Sequence, residues 1–277
     1  MRPSEVLRRA TRYLDAHGVE SPDATAEVLL QHVLGTDRAG LYARAEGLSS
    51  AEAKAFGRAL CRRCTGEPLQ HLTGRQQFRR LELEVRPGVF VPRPETEILA
   101  EAGLTAVDDV RDPVVVDVGT GTGAVALAIK SERSGASVWA TDISPEAVDL
   151  ARQNADSLEL DVAVLQGDLL DPLPRDLLRT VDLVISNPPY VATEEFESLP
   201  PEVRADPELA LLGGTDVHRR LVEESPRWLK TGGVLVVEIG AMQGDEVAAL
   251  FGDGAFEAVR VLPDLAGRDR VVIGRHG

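Results

Sequence analysis

The sequence predicts an α/β protein in which a doubly wound, seven-stranded sheet follows a small helical bundle and a β-hairpin. Three observations carry that prediction. Residues 1–72 have helical periodicity and no strand pattern, residues 73–94 alternate apolar with polar side chains, and from 95 to 277 short β-branched runs alternate with amphipathic stretches. The same three spans are the expected divisions of the chain: helical domain, hairpin linker and sheet domain.

The elements follow in order. Ser4 opens a helix that runs to His17, and Ser21-Pro22-Asp23-Ala24 opens a second, with the proline in its first turn and Ala26, Leu29, Leu30 and Val33 on one face. Ser49-Ser50-Ala51-Glu52 is a capping box for a third, ending near Cys64. Phe78, Leu81, Leu83 and Val85 then keep period two. Pro87-Gly88 and Val89-Phe90-Val91 complete the hairpin pattern. The seven strands of the sheet are Val114–Val118, Ser137–Asp142, Val162–Leu165, Val181–Ser186, Gly233–Ile239, Ala258–Leu262 and Arg270–Ile273. Val181-Asp182-Leu183-Val184-Ile185-Ser186 has the pattern of a buried strand.

Between the first of these strands and the helix beginning at Ala124 stands Asp117-Val118-Gly119-Thr120-Gly121-Thr122-Gly123. Glycines in a strand-to-helix turn let backbone approach a ligand closely, and the Rossmann-like context places that ligand at the carboxyl ends of the strands. The spacing is G-x-G-x-G, not the G-x-G-x-x-G of dinucleotide sites, and no Gly-Lys-Ser/Thr follows as in a phosphate-cradling loop. The expected cofactor is therefore S-adenosylmethionine. Asp117, Gly119, Thr120, Gly121, Thr122 and Gly123 form its cradle. Asp142, ending the next strand, is placed to accept from both ribose hydroxyls, while Ser144, just before Pro145, is better placed than Asp142 to cap the following helix. Asp168 and Leu169, after the third strand, are candidates for the adenine amino group and ring.

Asn187-Pro188-Pro189-Tyr190 follows the strand Val181–Ser186. A planar NH2 group is a poor nucleophile because its lone pair is delocalised, so a site that methylates it must hold its hydrogens and aim the nitrogen. The Asn187 side-chain oxygen and the Pro188 carbonyl are suitable acceptors, two prolines stiffen the turn, and Tyr190 offers a wall for the planar group. Asn187 also borders the cofactor. Asn187, Pro188 and Tyr190 are the candidate catalytic residues, with Pro189 in the substrate pocket.

Composition narrows the class. The chain has 277 residues, 43% of them hydrophobic, and a net charge of −15. That acidity argues against a broad electrostatic grip on nucleic acid and favours a neutral or basic protein partner. There is no membrane-length apolar run and no secretory signal pattern, so a soluble cytoplasmic enzyme is expected, acting as a monomer. The two cysteines form a lone Cys61-Arg62-Arg63-Cys64 on a helix, the five histidines have no ligand spacing, and no metal site is expected.

Taken together, Gly66-Glu67-Pro68-Leu69-Gln70-His71-Leu72-Thr73-Gly74, Phe90-Val91-Pro92-Arg93-Pro94-Glu95-Thr96-Glu97, the glycine turn and the Asn187 turn resemble the bacterial release factor glutamine N5-methyltransferases in order and spacing over essentially the whole chain. The resemblance implies a class I S-adenosylmethionine-dependent methyltransferase domain and a five-helix N-terminal domain that docks the substrate. It implies methylation of the glutamine in the Gly-Gly-Gln motif of class 1 peptide-chain release factors. It also places the loop with Phe90, Arg93 and Glu95 beside cofactor and substrate. The segment from Val203 to Asp216 departs from the family pattern at Asp206-Pro207 and at Asp216-Val217-His218. Two rivals stay open at this level: a nucleic-acid amino-group methyltransferase acting on adenine N6 or guanine N2, and a cofactor-binding regulator without turnover.

Overall fold

The computed structural model describes residues 2–252 and 254–277, which form two compact units. One comprises the chain up to Arg75 together with Pro200–Ala205; the other comprises Gln76–Leu199 and Asp206–Gly277.

The first unit is helical: α1 (Pro3–Ala16), α2 (Pro22–Leu34), α3 (Arg38–Ala43), α4 (Ser50–Cys64) and α5 (Leu69–Thr73). The capping box is realised in full, with Ser49 Oγ accepting from Glu52 N at 3.2 Å and Glu52 Oε2 accepting from Ser49 N at 2.7 Å. Ala10, Leu14, Ala26, Leu29, Leu30, Leu41, Phe56 and Leu72 meet in its core. α3 and α5 are too short to show a period, so only the three longer helices were visible as pattern. Pro200–Ala205 joins this unit through Glu202, which takes the Arg63 guanidinium at 2.8 Å, and Pro201, which lies over Gly66. Cys61 and Cys64 are free thiols.

The second unit begins with the hairpin β1 (Arg75–Phe78) and β2 (Leu81–Glu84), closed by Arg79-Arg80. Val89-Phe90-Val91 is irregular, contrary to its strand-like composition, because Pro87, Pro92 and Pro94 remove donors on either side. The hairpin is built into the core of the sheet unit: Phe78, Leu81 and Leu83 join the same apolar cluster as the sheet. Asn154 fastens it. Its Oδ1 accepts from Glu84 N at 2.8 Å, and its Nδ2 donates to Glu84 O at 3.1 Å and to Thr122 O at 2.9 Å.

Then come α6 (Thr96–Ala106), β3 (Val114–Val118), α7 (Ala124–Glu132), β4 (Ser137–Asp142), α8 (Pro145–Ser157), β5 (Val162–Gln166), β6 (Val181–Ser186), α9 (Glu208–Leu211), α10 (Asp216–Glu224), β7 (Leu229–Glu238), α11 (Gly244–Leu250), β8 (Phe256–Pro263) and β9 (Asp269–His276). The sheet order is β5-β4-β3-β6-β7-β9-β8, parallel through β7, with β9 antiparallel to both neighbours. Alternate side chains serve opposite cores. Val115, Leu183, Ile185, Val234 and Val236 pack with α6 and α7, whereas Val116, Val184, Leu235 and Val237 pack with α10 and α11. Burial on both faces is why these strands read as continuous apolar runs. No helix among the described residues is long and apolar enough to cross a membrane.

Asn154 is 2% exposed, so replacing it by alanine strands the Glu84 and Thr122 backbone groups that it satisfies. Asn154→Ala is expected to destabilise the protein by about 2–4 kcal/mol. Denaturant unfolding followed by tryptophan fluorescence measures it; a loss below the scatter of the method contradicts this account of the hairpin's anchorage.

Candidate active site

The sheet order reverses between β3 and β6, and at such a point the connections diverge and leave a crevice at the carboxyl ends of the strands. The glycine turn leaves β3 and the Asn187 turn leaves β6, so the topology itself brings the two sequence motifs side by side. Val118 and Ser186 are register partners, and Ser186 Oγ donates to Val118 O at 2.7 Å.

Gly119 and Gly121 have φ of +70° and +57°, and the side where a Cβ would stand is open at both. Those two openings form a cradle that side chains would fill. The turn is held from behind by β4: Gly119 N and Thr120 N both donate to Thr141 O, at 2.8 and 3.0 Å. Asp142 Oδ2 accepts from Gly121 N at 2.8 Å, and Oδ1 accepts from Ser144 N at 2.9 Å. Each oxygen keeps a further lone pair for a hydroxyl. Ser144 is the helix cap, accepting from Ala147 N at 3.2 Å. Burial raises the Asp142 pKa above the ordinary carboxylate value.

Asp117 plays an internal part. It is 1% exposed, and its Oδ2 accepts from Thr120 Oγ1 at 2.7 Å and from Ala126 N at 3.1 Å, tying the end of β3 to the start of α7. Thr122 is also buried, with its hydroxyl unpartnered among the described residues. After β5, Asp168 forms a two-pronged ion pair with Arg220 at 2.9 and 3.2 Å, where the sequence suggested a contact to a base. Leu169, at φ +44°, lies partly buried against the apolar core on the β3 and β7 side.

At β6, Asn187 is half-buried and its Nδ2 donates to Thr96 Oγ1 at 3.1 Å, which leaves Oδ1 as the acceptor the side chain presents. Tyr190 OH reaches Glu238 Oε1 at 3.4 Å, and the Tyr190 carbonyl accepts from Gln243 Nε2 at 3.0 Å. Burial drives the Tyr190 pKa upward, so it is neutral at any working pH. The exit of the turn is pinned by the segment that departs from the family pattern: Val191 bridges Leu212, and Gly213 N donates to Val191 O at 3.1 Å. A Cβ on Gly213 would stand 2.3 Å from the Pro189 carbonyl oxygen.

The loop before α6 differs from expectation in what its charges do. Arg93 pairs with Asp206 and lies over the Phe90 ring, 5.4 Å from its centre, so its guanidinium is engaged within the loop. Asp206 also accepts from Val91 N at 3.2 Å; burial lifts its pKa to about 6. Glu95 is half-buried, and its charge acts on both Tyr190 and Glu238. Thr96, Asp206, Glu238 and Gln243 are the residues that sequence reasoning missed. Thr96 lies in the Phe90–Glu97 motif and Asp206 in the segment that departs from the family pattern, so each carried some signal, whereas Gln243 carried none. A groove of about 1010 Å³ lies elsewhere, between α6 and the β8–β9 pair, and touches this region only at Pro94 and Glu95.

A mostly parallel seven-stranded sheet with an open glycine cradle at its reversal point, and an Asn-Pro-Pro-Tyr turn on the adjoining strand, defines a class I methyltransferase. Solved structures agree on the fold. The chain is 25% identical to a ribosomal protein methylase of Lactobacillus delbrueckii subsp. bulgaricus (TM-score 0.50, covering 70% of this chain and 84% of that one). It is 21% identical to a T. thermophilus 16S rRNA methyltransferase in complex with AdoMet and guanosine (TM-score 0.54, 73% and 50%). The family models described as PrmC N-terminal domain and Methyltransferase small domain match residues 5–74 and 81–199. Release factor glutamine methyltransferases of Moorella thermoacetica and Deinococcus radiodurans are 44% and 42% identical, over 96% and 99% of this chain and 95% and 99% of their own lengths. The chain belongs to the release factor glutamine methyltransferase family.

Two predictions follow from the geometry. Asp117 and Glu238 are both raised to about 7 by burial, so between about pH 4 and pH 7 the native state holds more protons than the unfolded chain. Stability from these groups is therefore lost as pH rises through that window. Asp117→Asn should flatten the decline by up to about 1.4 kcal/mol per pH unit relative to the parent, read from urea unfolding at several pH values. Parallel pH profiles of the two proteins would rule this out. Gly213→Ala should leave the fold cooperative yet lower turnover by about tenfold or more, because the Pro189 carbonyl must shift; equal steady-state rates would show that the turn tolerates the methyl group.

Proposed function

We propose that this protein transfers a methyl group from S-adenosylmethionine to the side-chain amide nitrogen of the glutamine in the Gly-Gly-Gln motif of class 1 peptide-chain release factors. The observation that carries this reading is the Asn187 side chain, whose nitrogen is committed to Thr96 so that its oxygen is the acceptor offered to a planar NH2 group. Release factors enter as substrate through the family, and a net charge of −15 supports a protein over a polyanion.

The cofactor fits the residues present. Gly119 and Gly121 supply the open cradle, and Asp142 supplies a carboxylate with free lone pairs at the end of β4. Leu169 offers an apolar surface after β5; Asp168 serves the adenine end only by sharing or releasing Arg220. When bound, S-adenosylmethionine supplies an electrophilic methyl group on a sulfonium. Asp117 and Thr120 set the turn of the cradle through the hydrogen bond between them.

On the substrate side, Asn187 Oδ1 and the Pro188 carbonyl accept the two amide hydrogens and so fix the plane of the carboxamide. Their dipoles also favour the positive charge that grows on nitrogen during transfer. Tyr190, held by Glu238 and Gln243, is the wall for the planar group, and Phe90 carries the Arg93 guanidinium over its ring. No general base is needed, because the nitrogen's proton becomes acidic once the new bond has formed. Orientation supplies most of the acceleration.

The test is peptide mass spectrometry of an unmodified class 1 release factor after incubation with the protein and S-adenosylmethionine, beside duplex DNA and ribosomal RNA. One added methyl on the Gly-Gly-Gln glutamine is expected. Asn187→Ala should reduce it by about a hundredfold or more while calorimetry shows cofactor binding intact. Label on nucleic acid without protein methylation would replace the substrate assignment.

A further inference from the structure

The polar side chains behind Asn187 form a connected set. Thr96 begins α6 and is 3% exposed; Glu238 ends β7 and is 1% exposed. A threonine hydroxyl has one proton and two lone pairs. Because Thr96 Oγ1 accepts from Asn187 Nδ2, its proton is free to go to another acceptor, and the Glu238 carboxylate is the group it stabilises. Glu238 is itself held in place. Its Oε1 faces the Tyr190 hydroxyl, its carbonyl accepts from His218 Nε2 at 2.8 Å, Arg270 offsets its charge, and Oε2 has no full hydrogen-bond partner among the described residues. His218 is fully buried, and since a carbonyl only accepts, its Nε2 carries the proton.

This chain has a direction. In its ionised form, populated from about pH 7 upward, the Glu238 carboxylate only accepts, so it draws the Thr96 proton toward itself and turns a lone pair toward Asn187. Rotating the Asn187 amide by half a turn would set its oxygen against that lone pair, losing one hydrogen bond and opposing two acceptors. The wrong rotamer would present an NH2 group to the substrate's NH2 group, donor against donor. We propose that Thr96 and Glu238 are positioning residues that lock the Asn187 amide with its oxygen toward the substrate, and that Glu238 sets Tyr190 in the same register. The inference rests on the proposed methylation of a primary amide and adds the device that makes Asn187 an acceptor there.

The experiment compares the full chain with Thr96→Val, Thr96→Ser and Glu238→Gln, using an unmodified class 1 release factor and saturating S-adenosylmethionine. Valine keeps the shape and deletes the hydroxyl. It should lower kcat by about tenfold or more with cofactor affinity unchanged by calorimetry, whereas serine, which restores the hydroxyl, should stay within about threefold of the parent. Glu238→Gln, which adds a competing donor behind Thr96, should fall between. A valine variant with the parent's kcat, or a serine variant as slow as valine, overturns the lock. Failure of the parent to methylate the release factor would instead overturn the substrate reading. The lock is then decided without substrate, from the Asn187 side-chain 15N–1H resonances, identified by their loss in Asn187→Asp. Thr96→Val should move the hydrogen-bonded proton upfield; unchanged resonances overturn the proposal.

Discussion

Crossovers from β3 through β4 to β5 build one half of the sheet, those from β6 onward build the other, and the halves part at the β3–β6 pair. Helices packed on opposite faces cannot close the gap above that pair, so the carboxyl ends of the two strands open into one crevice. The functional turns depend on this. The glycine turn is fixed through Thr141 and Asp142 on the outer side, and the Asn187 turn through Thr96, Gln243 and the Leu212–Gly213 backbone on the inner side. Each turn is in addition fastened to elements that come from elsewhere in the chain.

Buried carboxylates do much of this fastening. Asp117 joins β3 to α7, Asp206 holds the backbone and arginine of the loop before α6, and Glu238 gathers Thr96 and Tyr190. Each costs desolvation, which is why their pKa values stand above those of exposed acids. In return, each fixes two or more groups at once, which an apolar side chain cannot do. Asp142 belongs to the same pattern, holding Gly121 N and Ser144 N at once.

The backbone plan was legible because its determinants are local. β-branched runs between turn residues marked all seven strands, the Ser49 box marked a helix start to the residue, and Ser144 was separable from Asp142 as a cap. What was illegible shares a physical cause. Val89-Phe90-Val91 has strand composition but pairs with no strand among the described residues, and flanking prolines keep it single. Arg93 and Asp168 carry charges that a sequence offers equally to a ligand or to the protein, and only the fold brings Asp206 and Arg220 to them. Thr96 and Glu238 act through burial and adjacency across residues far apart in the chain, and no window of sequence contains that.

The discontinuity of the helical unit bears on modularity. After the Asn187 turn the chain runs to Leu199, contributes Pro200–Ala205 to the unit built from the N-terminal helices, and resumes in the sheet unit at Asp206, the residue that secures Arg93. A helical domain attached only at one end can be exchanged by recombination at a single point. Here an exchange would have to replace an N-terminal block and an internal hexapeptide together. The helical and sheet units should therefore have been inherited as a pair, changing by substitution within them and not by shuffling of whole domains.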